Sequence, residues 1–267
     1  MAGKWKFENV VASKESVGTV WYVSHVDPTN KRGYFKFPTA KSKKYSGPLS
    51  ANEYIAYKLA NLAKLPVATV ELQTINEQLG TVSIKHSANR LLNWTNLYSQ
   101  FNSKNIFNHI YKPERLVKMF VFDIWILNID RNNRNIILYR KALDDRSSSL
   151  NATNIFNFYL IDHGLSLLGA IAWKKRAATS TYWNRVAKYN NRYLNGLPTY
   201  LLKHKSLLRK YANMLQKIPN DHVSKIIEDT PDTLLTSHEK SLLKKFLINR
   251  KSLLPMLVNQ WIKDFEK

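Results

Sequence analysis

The spacing of apolar positions changes along the chain, and the change divides it in two. In residues 17–38, β-branched and aromatic residues form two runs, VGTVWYVSHV and GYFKFP, separated by the turn-forming DPTNKRG. Two strands are expected, the second ended by Pro38. The stretch 39–49 (TAKSKKYSGPL) has no periodicity and is basic, so it reads as a mobile loop. Ser50 and Glu53 then have the S-x-x-E spacing of a capping box. This predicts a helix to about Lys64, with Ile55, Leu59 and Leu62 on its buried side. Leu65, Pro66 and Val67 end it. The alternating VATVELQTI and the later TVSIKH predict two more strands. Residues 1–88 therefore read as a small unit in the order β-β-α-β-β.

From residue 89 the pattern is mainly helical. PERLVKMFVFDIWIL (113–127) has apolar residues at helical spacing, with Pro113 suited to a first turn. NIIL (135–138) and NFYLI (157–161) read as strands that pair as a hairpin around the polar stretch 141–154. Thr236 and Glu239 form a second capping box, followed by Leu242, Leu243, Phe246 and Leu247 on one face; Pro255 kinks or splits the helix before Trp261. No internal repeat is present. The expected fold class is α+β, with a β-rich lobe at 1–88 and a mainly helical lobe at 89–267 packed as one unit.

Composition narrows the function. The 267 residues are 44% hydrophobic and 12% aromatic, which supports a packed core. The absence of cysteine excludes a disulfide framework and most structural zinc schemes. The start, MAGKWKFENVV, lacks a signal-peptide apolar run, and LVKMFVFDIWIL is too short and too charged to span a bilayer. A cytoplasmic protein with no transmembrane segment is expected. The net charge of +22 comes from 41 Lys and Arg against 19 Asp and Glu, and it is uneven. Residues 28–52 and 163–220 contain no acid, so polyanion binding through 163–220 is one expectation and an ordinary basic surface is the plainer one.

The candidate chemistry lies in DRNNRN and LIDHG. Asp130 follows an apolar helix and should sit in a loop. Asn135 opens one strand, and Asp162 closes its partner beside Gly164. One carboxylate to orient a hydroxyl, with an amide and a second carboxylate to hold Mg²⁺, is a phosphoryl-transfer set; an ordinary turn and a strand end are the plainer reading. Lys36, alone in the apolar YFKFP, should point to solvent or into a cleft. Glu53 is a candidate partner for it, although the capping box offers Glu53 another role. Gly18 could let the backbone cover phosphates or simply serve a β-turn. Trp173, Tyr182, Trp183, Tyr189 and Tyr193 are interleaved with cations, which suits nucleic acid or, equally, aromatic core anchors. The seven histidines show no metal-binding spacing.

YFKFP, ANEYIAYKLANLAKLPV, FDIWILNIDRNNRNIIL and LIDHGLSL together resemble HipA-like kinases, in a compact branch that is also similar to phosphatidylinositol kinases. The resemblance extends over roughly residues 15–260. It implies a bilobal protein-kinase-like fold and ATP- and Mg²⁺-dependent phosphorylation. Lys36 would bind phosphate and support catalysis, with Glu53 and Gly18 on the nucleotide side. Asp130 would be the catalytic base, and Asn135 and Asp162 would hold the metal. Arg131 and His163 match motif neighbours expected to support the site. The expected acceptor is a protein Ser or Thr, on a partner engaged in translation or bound to nucleic acid. A lipid kinase and a non-catalytic polyanion-binding scaffold are the alternatives. An antitoxin partner is compatible with the family.

Overall fold

The computed structural model describes residues 5–14, 18–27, 30–87, 91–101, 106–140, 155–191 and 193–266. The first lobe holds a five-stranded antiparallel sheet built from β1 (Trp5–Lys14), β2 (Gly18–His25), β3 (Arg32–Phe37), β4 (Val70–Ile75) and β5 (Gln78–Ile84), in the order β1-β2-β3-β5-β4. Two helices, α1 (Ala40–Ser46) and α2 (Leu49–Leu62), lie between β3 and β4. Alternation along β3 sends Phe35 and Phe37 into a small core with Trp5, Val23, Ile75 and Val82. Lys36 and Tyr34 therefore face the other side of the sheet.

Three expectations for this lobe are corrected. Strand β1 was not foreseen: it is an edge strand with mostly exposed residues, and register shifts at Phe7/Asn9 and Val10/Ala12 break its alternation. The predicted loop at 39–49 contains α1, closed by a capping box of another kind. The Thr39 hydroxyl accepts from the Ser42 N–H at 3.1 Å, and the Ser42 hydroxyl accepts from the Thr39 N–H at 2.8 Å. Gly47, at φ 59°, ends it. The capping box assigned to Ser50 and Glu53 does not form. Helix α2 starts at Leu49 with Pro48 at its N-cap, and Ser50 is already buried inside it. Glu53 is thereby left for another task.

The second lobe contains β6 (Leu91–Asn93), α3 (Trp94–Phe101), α4 (Glu114–Trp125), β7 (Ile136–Arg140), β8 (Phe156–Leu160), α5 (Leu167–Lys174), α6 (Val186–Tyr189), α7 (Leu197–Lys203), α8 (Lys205–Gln216), α9 (Asn220–Glu228), α10 (Ser237–Ser252) and α11 (Leu254–Phe265). The hairpin forms as expected, with Ile136 opposite Leu160, and β6 adds a third strand. Helix α4 is the hub; from Met119 to Trp125 its residues are buried, with α8, α10 and α11 packed around it. Trp125 donates to the Leu247 carbonyl at 3.0 Å, and the Trp261 ring lies 4.7 Å from that of Phe120. The second capping box is present, with Thr236 and Glu239 exchanging bonds at the start of α10. Pro255 separates α10 from α11. Among the described residues no helix is long and apolar enough to cross a membrane.

The lobes are joined next to the candidate residues. The Leu160 N–H donates to the Pro66 carbonyl at 2.9 Å, and the Ala68 N–H to the Leu160 carbonyl at 3.0 Å. The chain leaving α2 is thus bonded to the end of β8, two residues before Asp162.

Candidate active site

Strand β3, helix α2 and the turn after β8 converge on one ion cluster. The Lys36 ammonium lies 2.7 Å from Glu53 Oε1 and 2.8 Å from Asp162 Oδ1. The other Glu53 oxygen accepts the His163 N–H at 3.0 Å. One helix carboxylate therefore fixes both the strand lysine and the backbone beside Asp162. Asp162 itself has a left-handed backbone, φ 60°, which a non-glycine residue adopts at a cost in strain. Burial disfavours the Lys36 charge, but Asp162 and Glu53 outweigh it and raise its pKa. Burial also pushes Asp162 upward, yet Lys36 prevails and lowers its pKa. For Glu53 burial dominates over Lys36, and its carboxyl lies above its ordinary range.

Close packing holds α2 against this turn. A Cβ on Gly164 would lie 2.3 Å from Leu49 Cδ1. The Asn52 amide, buried in α2, donates to the Gly164 carbonyl at 3.1 Å. Sequence reasoning missed Asn52; a lone amide between apolar helix positions was the available signal.

A second buried network shapes the loop of Asp130 and Asn135. Arg131 grips Asp123 with two bonds, Nε to Oδ2 at 2.9 Å and Nη2 to Oδ1 at 3.0 Å. Its Nη1 donates to the carbonyls of Asn135 and Ile161 at 3.0 and 3.1 Å. Arg131 Nη2 also lies 2.9 Å from His163 Nε2. Burial, then the guanidinium, hold the His163 pKa well below 6.5, so a neutral ring accepting at Nε2 is the consistent assignment. Asn128 supports the same loop by donating to Asp123 at 3.0 Å and accepting the Asp130 N–H at 3.1 Å. Asp123 and Asn128 were not singled out from sequence, although an acid inside the apolar FDIW was a visible anomaly.

Asn135 Nδ2 donates to the Asp130 carbonyl at 2.6 Å, which reserves its Oδ1 end for accepting or ligating. Asn135 and Asp162 together present oxygen donors only, a set that fits a hard cation such as Mg²⁺. Among the described residues no group of three or more His, Cys, Asp or Glu is arranged to hold a metal ion, so such an ion would draw its other ligands from phosphate or water. Lys36 and Asp162 also line a cavity of about 300 Å³ whose wall includes Val20, Ile84, Leu91, Ile137 and Tyr159. Gly18 opens β2 with φ 105°, and a Cβ there would lie 2.8 Å from the Phe37 carbonyl. Any phosphate-covering turn at 15–17 lies outside the described residues.

Of the aromatic residues after Asp162, Trp183 and Tyr189 are core anchors. Trp173 is 40% exposed.

A small antiparallel sheet with one ion-paired helix, set on a helical lobe that carries the acid and amide loop, defines a protein-kinase-like fold. Solved structures agree. The Helicobacter pylori proinflammatory kinase CtkA matches with a TM-score of 0.62 at 17% identity, covering 98% of each chain. The Rio2 kinase of Chaetomium thermophilum, in its ADP/Mg²⁺-phosphoaspartate complex, matches with a TM-score of 0.51 at 12% identity, over 92% of this chain and 72% of that one. A search among curated proteins finds no match. The sequence profile of HipA-like kinases matches residues 37–249, and the chain belongs to that family. Glu53, Asp130, Asn135 and Asp162 lie inside the matched stretch, and Lys36 lies one residue before it.

Proposed function

We propose that the chain transfers the γ-phosphoryl group of ATP to a hydroxyl, with a protein Ser or Thr as acceptor. The observation that carries this reading is the Lys36–Glu53–Asp162 ion cluster, which joins residues from three elements across the two lobes. In the proposal, residues 1–88 and 89–267 are the two lobes, and the apolar cavity takes the base. Lys36, oriented by Glu53, binds the ATP phosphates. Gly18 lets the backbone come close above them. Asp162 and Asn135 would hold Mg²⁺, which when bound would neutralise charge gathering on the phosphate oxygens. The bound ADP and Mg²⁺ in the Rio2 structure support this assignment of nucleotide and metal.

Asp130 accepts the proton of the acceptor hydroxyl. That oxygen bonds to the γ-phosphorus as the bond to the β–γ bridging oxygen breaks, and ADP leaves. Arg131 does not react; it holds the loop of Asp130 and Asn135 in register with the strand end before Asp162. Asp130→Asn should lower turnover by roughly 10²-fold or more with ATP-induced thermal stabilisation retained. Asp162→Ala should abolish transfer from γ-labelled ATP. Full turnover in either variant would refute the assignment.

A further inference from the structure

A second cavity, of about 600 Å³, lies between the segment after α5 and helix α11. Three cations line it, Arg176, Arg185 and Lys188, together with Ser180, Thr181 and Gln260, and no acid does. Among the described residues none of the three cations is in an ion pair. Arg176, Arg185 and Lys188 are exposed, so water and salt screen much of their mutual repulsion, and a bound anion would relieve the remainder.

The frame beneath them is rigid. Trp183, 1% exposed, donates to the Ala177 carbonyl at 2.8 Å. The buried Arg250 donates to the carbonyls of Trp183 at 3.0 Å and Ile124 at 2.5 Å, and also bonds the Tyr189 hydroxyl. Arg185 and Lys188 thus stand beside fixed anchors, Trp183 and Tyr189. The Arg176 guanidinium lies over the Tyr182 ring, 5.3 Å from its centroid, so part of its freedom is already restricted. Ile124, at the end of α4, ties this frame to the segment leading to Asp130.

We infer that this cavity is an anion subsite that takes a phosphate monoester carried on a partner polypeptide. Two guanidinium forks suit the oxygens of a phosphoryl dianion, and a single carboxylate would leave most of the positive charge uncompensated. Ser180, Thr181 and Gln260 add neutral hydrogen-bonding groups. The inference deepens the kinase reading, on which it rests only for the view that this partner is the substrate. Such a substrate would already carry one phosphate before receiving another.

The test is binding without ATP, read by fluorescence anisotropy. The probes are a short labelled peptide with one phosphothreonine in an otherwise uncharged sequence, its unphosphorylated twin, and labelled oligouridine. The phosphopeptide should bind at least about tenfold more tightly than its twin, and Arg176→Ala, Arg185→Ala and Lys188→Ala should each weaken it about tenfold. Lys210→Ala, at an exposed position of α8, should leave binding unchanged, and all four variants should melt like the parent chain. Equal binding of the two peptides would overturn the inference, as would an equal loss with Lys210→Ala. Tighter oligouridine binding lost in the same three variants would assign the cavity to nucleic acid instead and overturn it as well. A chain that binds the phosphopeptide but transfers nothing from ATP would keep the subsite and lose the kinase reading.

Discussion

Removing the Asp123 carboxylate tests whether the Arg131 network holds the site together. The side chains of Arg131 and Asp123 are 3% and 1% exposed, so neither charge has water to fall back on. In Asp123→Ala the guanidinium keeps its bonds to the Asn135 and Ile161 carbonyls but loses its only carboxylate partner among the described residues. Breaking a buried pair by deleting one member costs about 3–5 kcal/mol. For a chain of this size that corresponds to a fall in Tm of roughly 6–20 °C. Arg131→Met should cost a similar amount, since it strands the carboxylate with Asn128. The double variant should cost much less than the sum, because no uncompensated charge remains. Urea unfolding of the four proteins measures the coupling, and thermal shift with MgATP reports the site. A loss below about 1 kcal/mol in Asp123→Ala, or simple additivity in the double variant, would refute the reasoning.

Three further outcomes follow from single contacts. His163 has a folded pKa well below 6.5, so the unfolded chain binds more protons as pH falls below 6.5; stability should drop there by up to about 1.4 kcal/mol per pH unit, and His163→Gln should lack that part of the slope. The lowered pKa of Asp162 acts elsewhere, its contribution being lost only as pH falls below about 3.8, so parallel urea midpoints for the two proteins between pH 7.5 and 5 would contradict the His163 assignment. Gly169→Ala should destabilise in urea despite a helix-propensity gain of about 1 kcal/mol, because its Cβ would lie 2.3 Å from the Gly164 carbonyl oxygen; a more stable variant would contradict the close packing of α5. Thr236→Ala should cost about 1 kcal/mol by opening the cap of α10, and an unchanged melting curve would show that the cap contributes nothing.

Signals confined to neighbouring residues were legible. The period of two in YFKFP placed Lys36 opposite the buried Phe35 and Phe37, and the apolar strands on either side of 141–154 announced the hairpin that brings Asn135 near Asp162. The T-x-x-E box at Thr236 and the break at Pro255 were equally local. The same reasoning failed at Ser50, where S-x-x-E spacing is present but the helix starts two residues too early, with Pro48 at the N-cap. It also missed α1, because a Thr–Ser box lacks the usual acid and lies among lysines.

What the sequence determined by itself was the inventory and the local geometry: which strand carries the lone lysine, which loop carries Asp130 and Asn135, and which turn carries Asp162. What only the tertiary structure decided was how those pieces meet. Glu53 was a candidate partner for Lys36 with a rival capping role, and the burial of α2, which turns its one acid toward β3 and the turn after β8, decided between the two. Asp123 grips Arg131 because α4 is so enclosed that a carboxylate inside it must find a cation. Both outcomes rest on burial, which strips charges of water and forces them to pair across long stretches of chain, and spacing along a sequence does not encode which distant partner will be in reach.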